Sequence, residues 1–229
     1  MAKESENAEV KKNSIKEIFT RTEEYINENQ KTVSIVVGVI VGILLIYFAY
    51  KKFYLAPREI EAQAQIFNAE NYFEKDSLKF ALNGDGNNPG FIEIIDQYGS
   101  TKSGNLAHYY AGMCYLKLGQ FQNAIDQLEK FKSDDQIVKT LAIGAIGDAY
   151  LELKQTDKAI EYYTKASERK MNILTSPYFL NKLANTYEDN NQLDKALEVY
   201  KRLKNDYPKS YEAKEAEKDI AKIKAKMGQ

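Results

Sequence analysis

The hydrophobic pattern changes character along this chain. Residues 33 to 50, VSIVVGVIVGILLIYFAY, form an apolar run without a charged side chain. At 1.5 Å per residue such a helix is roughly 27 Å long, close to one hydrocarbon core, so a transmembrane helix is expected within 32–54. Past residue 100, small and apolar residues recur every three or four positions, in segments separated by short polar turns, which is the helical period. The segments come in pairs: 107–118 with 121–131, 138–153 with 157–169, and 178–189 with 193–205. A last segment, 210–227, carries Ala213, Ala216, Ile220, Ile223 and Met227 on one stripe and Lys and Glu elsewhere.

The pairs repeat one another. Gly112, Gly147 and Ala184 share one position, Tyr115, Tyr150 and Tyr187 a second, and Ala124, Ala159 and Ala196 a third, at spacings of 35 and 37 residues. A fixed period of this size marks stacked units, none of which can bury its apolar face alone. The expected fold is all-α: an N-terminal transmembrane helix, an α-solenoid of helix pairs over 105–208, and a C-terminal capping helix over 209–229. Residues 55–104 predict a degenerate helical pair, 59–73 and 90–98, joined by the turn-rich loop NGDGNNPG at 83–90, with Pro89 at the start of the second helix. In the tail, 1–31, the first thirteen residues are polar. Ser14-x-x-Glu17 is a capping box, and Ile15, Ile18, Phe19, Thr22 and Ile26 follow at helical spacing. They predict a short amphipathic helix at the membrane surface, or an extension of the membrane helix.

The repeats resemble the tetratricopeptide repeat (TPR) family. The third copy carries the pattern best, with Leu180, Leu183, Ala184, Tyr187, Ala196, Tyr200, Leu203 and Pro208; the second has Gly147, Tyr150, Ala159, Tyr163 and Ala166. The first departs from it, with His108 where the family often has Trp and Phe131 where it has Ala. The resemblance implies that the first helix of each pair lines a concave groove. By position that groove holds Leu106, Tyr109, Met113, Leu116 and Lys117, then Leu141, Gly144, Asp148, Leu151 and Glu152, then Tyr178, Asn181, Asn185, Glu188 and Asp189. Counted this way it is apolar and aromatic at one end and acidic at the other, with Lys117 its one cation. An amphipathic or basic peptide suits it better than a free C-terminal carboxylate.

Lys31 and Lys51-Lys52 bracket the apolar run, and Tyr47, Tyr50 and Tyr54 sit at its far end like an aromatic belt. No small-x-small cleavage site and no Cys follows, so a retained signal anchor is favoured over a cleaved signal peptide or a lipoprotein. Orientation stays open on charge. Lys12, Lys16, Arg21 and Lys31 on one side oppose Lys51, Lys52 and Arg58 on the other. Gly38 and Gly42 form a GxxxG on one helix face, a device for close helix contact, with self-association or docking on another membrane protein as its uses; Gly is also simply common in membrane helices.

Little chemistry is offered. Formal net charge is −1, and residues 51–229 hold as many acidic as basic side chains, which argues against nucleic acid. One His and one Cys leave no zinc set, no Cys/His dyad and no intrachain disulfide, so Cys114 is assigned to packing. Asn83, Asp85 and Asn87 alternate like calcium ligands, but the Gly and Glu of a calcium loop do not follow in register. No metal or cofactor is expected, and the chain is not read as an enzyme.

ENQK at 28–31 followed by VGVIVG at 37–42, with a long helix and repeats after the span, resembles the single-pass bacterial inner-membrane TPR proteins ancillary to the Sec translocon. The loop GDGNNPG departs from that family. The resemblance implies an N-terminus in the cytoplasm, repeats in the periplasm, and a tether that holds a translocon subunit, a periplasmic chaperone or a nascent polypeptide through Tyr109, Met113, Leu116, Leu151 and Tyr178. The alternatives are an envelope-assembly or cell-division scaffold with a dedicated partner, and a cytosol-facing receptor for targeting peptides.

Overall fold

The computed structural model describes residues 28–228. The amphipathic helix expected from Ser14 onward therefore lies outside the described residues. The chain divides into two units, Met1–Pro57 and Arg58–Gln229. In the first, helix α1, Gln30–Ala49, buries none of its side chains, and Ile43, Leu45 and Ile46 are each more than half exposed. It is long and apolar enough to cross a membrane. A Cβ added at Gly38 or Gly42 would meet nothing within 4 Å, so that face is open. A π-helical turn, Tyr50–Leu55, follows, in which Tyr50 and Tyr54 stack with centroids 5.2 Å apart.

The second unit is all-helical among the described residues. Helix α2, Ala56–Glu74, begins just before the boundary; α3, Leu78–Asn83, α4, Phe91–Tyr98, and α5, Lys102–Lys117, follow. Then come α6, Phe121–Lys130, α7, Gln136–Glu152, α8, Thr156–Glu168, α9, Ser176–Asp189, α10, Leu193–Asp206, and α11, Tyr211–Lys226. Helices α5–α6, α7–α8 and α9–α10 are the three pairs, each packed on the next, with α11 closing on α10. The region after α1 holds three helices where the sequence pattern predicts two. Helix α3 was hidden because six residues are too few to display a period.

The same local chemistry builds each pair. The turn between its helices passes through a left-handed residue: Gly119 at φ +74°, Lys154 at +60° and Asn191 at +54°. In each turn that residue's N–H reaches back to the helix it leaves, to Leu116, Leu151 and Glu188 carbonyls at 3.1, 3.0 and 2.9 Å. Three helix starts, those of α5, α7 and α11, are capped by side chains: Thr101 Oγ1 accepts from Gly104, Asp135 from Ile137 and Val138, and Ser210 Oγ from Ala213. Ala124, Ala159 and Ala196 are fully buried where paired helices approach. Gly112 lies so close to Leu128 that a Cβ there would come within 2.5 Å of its Cγ.

The N-terminal end is sealed by α2–α4 around Ile66, Leu82, Phe91 and Ile94. Glu59 on α2 accepts from the N–H of Lys102 at 2.6 Å and the hydroxyl of Ser103 at 2.9 Å, placing a carboxylate on the positive end of α5. At the other end, Ala213, Ala216 and Ile223 of α11 bury against α10, leaving its polar face to solvent.

Candidate interaction groove

The groove positions do not form one continuous surface. Leu116, Lys117, Asp148, Leu151 and Glu152 converge on a cavity of about 510 Å³ that also takes in Phe121, Tyr163 and Lys182. Leu151 and Glu152 continue into a neighbouring hollow with Asp189. Leu106 lines a separate depression beside Phe131 and Val138. Tyr109, Met113 and Leu116 are half-buried against the α6–α7 core, and Tyr109 tilts on the Phe131 ring at 5.4 Å. Burial pushes the Tyr109 phenol up. Leu141 is likewise packed against the α8–α9 core. Gly144 is buried outright: a Cβ there would stand 1.9 Å from the Phe179 ring, so it seats α9 on α7. Tyr178 is exposed and makes an edge contact with Phe179, and Asn181 is half-buried beside it.

Lys182 alters the charge balance read from sequence. Its ammonium donates to Asp148 Oδ1 at 2.6 Å, the same oxygen that accepts the Tyr163 hydroxyl at 2.6 Å. It also lies 5.3 Å from the Tyr178 ring centroid. Burial opposes its charge, but the hydrogen bond and charge of Asp148 outweigh that and raise its pKa. Only the tyrosine bond of this arrangement recurs one repeat on, where Tyr200 donates to Asn185 Oδ1. Glu188 is held by Lys222 at 2.8 Å and Lys226 at 2.7 Å, both from α11. Those hydrogen bonds draw its carboxyl below the usual range. Lys117 pairs with Asp76 at 2.9 Å and lies over Phe73. Counted with these partners, the cavity is close to neutral, and Glu152 and Asp189 are the exposed carboxylates at its edge.

Two other sequence candidates have structural partners. Asp85 Oδ1 accepts from the N–H groups of Asn87 and Asn88 at 2.8 and 2.7 Å, and Oδ2 from Tyr72 and Asn88 side chains at 2.6 and 2.9 Å. The Tyr72 hydroxyl leads these donors in holding the carboxyl far below its ordinary value. The loop is thereby tied to α2, and the carboxylate's acceptor sites are filled from within. His108 shares a 2.8 Å hydrogen bond with Gln127, and Cys114 is buried, its thiol pushed up to about 12 by desolvation. Among the described residues no three His, Cys, Asp or Glu side chains gather as a metal set.

Tetratricopeptide repeat models match 106–135, 142–170 and 182–210, the three helix pairs described above. Among solved structures, the chain is similar to a Podosopora anserina protein described as a kinesin light chain with nearly identical TPR-like repeats. The match has 15% identity, covers 74% of this chain and 88% of that one, and has a TM-score of 0.57. A single-substitution variant of that protein matches at 15% identity, over 74% and 87%, with a TM-score of 0.56. At this identity the likeness concerns the fold. No curated protein matches the chain. The chain thus carries tetratricopeptide repeats, a kind of module that serves protein–protein interaction.

Proposed function

We propose that this chain is a membrane-tethered tetratricopeptide module that captures a polypeptide segment in the cavity over α5, α7 and α9, beside a protein translocon on the periplasmic side of a bacterial inner membrane. The observation that carries the reading is the convergence of Leu116, Leu151 and Glu152, from two successive repeats, on one open cavity. Helix α1 supplies the tether, raising the local concentration of the groove at the bilayer without a new contact. Translocon subunits, periplasmic chaperones and emerging chains are the partners in view, and no bond is made or broken.

Leu151 and Glu152 are the useful probes. Tyr109 is unsuitable because Tyr109→Asp would disturb packing against Phe131. A photocrosslinker at Glu152, in cells expressing the full chain, should trap a discrete protein adduct that a crosslinker at Asn123, an exposed site on α6, does not. With the crosslinker kept at 152, an Asp189→Lys change should weaken that adduct while leaving thermal unfolding in place. An undiminished adduct would reject the groove. A reporter active only outside the cytoplasm, fused after residue 229, tests the orientation separately. A stable but inactive fusion would reject the periplasmic placement and favour the targeting-peptide receptor.

A further inference from the structure

The cavity that takes in Leu116, Leu151 and Lys182 is polar without an excess of either charge. Lys117, Lys154 and Lys182 line it and the neighbouring hollow, against Asp148, Glu152 and Asp189. Outside that ring Asp76 is held by Lys117, and Glu188, the remaining acidic groove position, by Lys222 and Lys226. Counted with these partners the two signs still match. A segment rich in one charge therefore loses to like charges what it gains from opposite ones. Leu116, Phe121 and Leu151, all half-buried, form the apolar part of the wall and reward an apolar side chain.

The Asp148–Lys182 pair adds a polar seat to that wall. Lys182 and Tyr163 both donate to Oδ1 of Asp148, which leaves Oδ2 able to accept. Asp148 and Tyr178 take two of the three N–H groups of the ammonium. A donor and an acceptor thus remain side by side, on side chains that are 28% and 30% exposed. In an extended chain the N–H and C=O of one residue point to the same side and bond as a pair. The seat can take both groups of one residue without any charged side chain in the segment.

We infer that the occupant of this cavity is an extended segment of uncharged, apolar residues, held by its backbone on Asp148 and Lys182 and by a side chain among Leu116, Phe121 and Leu151. The inference rests on the capture of a polypeptide segment proposed above, and it differs from the amphipathic or basic peptide that the sequence suggests.

Isothermal titration of the full chain in detergent micelles, with micelles alone as the blank, tests this on capped peptides. Each peptide has a Leu-Val-Leu centre flanked on both sides by Ser, by Lys or by Glu. The Ser peptide is expected to bind at least as tightly as the other two, with the same affinity at about 50 and about 500 mM salt. Lys182→Met removes one cation and the donor together. It should weaken the Ser peptide and turn the preference toward the Lys peptide by about fivefold, the effect of one screened charge. Tighter, salt-sensitive binding of the Lys or the Glu peptide to the natural chain would overturn the inference and leave capture standing. An unchanged ranking of the peptides in Lys182→Met would also overturn it, since a merely structural role for Lys182 weakens all three alike. No binding of any peptide would overturn it as well, while the adduct at 152 tests capture without a choice of peptide.

Discussion

Lys182 on α9 donates to Asp148 on α7 across 2.6 Å, joining the inner helices of successive repeats. The two side chains are about 30% exposed, at 28% and 30%, so water still screens the pair. Lys182→Met should therefore cost only about 1 kcal/mol in denaturant unfolding, because Asp148 keeps the Tyr163 hydroxyl. Asp148→Leu should cost about 1–3 kcal/mol, since it strands both that hydroxyl and the ammonium. The Asp148→Leu/Lys182→Met pair should fall below the sum of the two. An additive result would show that the contact contributes nothing to stability.

Gly144 tests whether a groove position of the repeat is here a packing position. An added methyl would overlap the Phe179 ring, which is 2% exposed and has little room to move. Gly144→Ala should destabilise by about 1–3 kcal/mol despite the helix preference of Ala. Phe179→Leu in the same chain should recover part of the loss. A Gly144→Ala protein with unchanged unfolding midpoint would contradict the seating of α9 on α7.

The turn at Lys154 makes the opposite prediction. Its left-handed backbone carries a side chain where the first repeat has Gly119, and the side chain is exposed. That conformation costs an L-residue about 1–2 kcal/mol, while Gly costs the unfolded chain about 0.5–1 kcal/mol in entropy. Lys154→Gly should leave the net stability equal to or higher than that of the natural chain, by up to about 1 kcal/mol in thermal or denaturant unfolding. A clear loss would show that Lys154 makes a contact beyond the turn.

The helix pairs were legible because small residues and Tyr recur at fixed positions. Gly112, Ala124 and their counterparts mark where two backbones meet, and the observed helices begin and end within a few residues of the expected ones, except that α5 starts five residues early. The early start has a cause that pattern does not carry. Thr101 and Glu59 cap α5 from outside its apolar stripe. The charge of the groove was not legible either. Lys182 lies off the groove positions and reaches Asp148 only because a long side chain spans the gap, and Lys222 and Lys226 reach Glu188 from a different helix. Such pairings join residues more than thirty positions apart, and one sequence offers no periodicity from which to read them.

Asp85 predicts an acid dependence with a definite sign. Its four donors depress the folded pKa below the unfolded value of 3.8. A depressed carboxylate contributes stability that is complete above the unfolded value and is lost as pH falls below it, through the folded value. Asp85→Asn puts an amide NH₂ or a lone carbonyl before donors that need two oxygens, so at neutral pH the variant should unfold at lower denaturant than the natural chain. The gap should narrow as pH drops below about 4, where the natural carboxylate itself begins to protonate in the unfolded chain. Comparing the two proteins at each pH removes Glu188 and the other carboxylates, which titrate alike in both. A gap that stayed constant down to about pH 2 would mean that Asp85 acts through the shape of its turn and that its charge is immaterial.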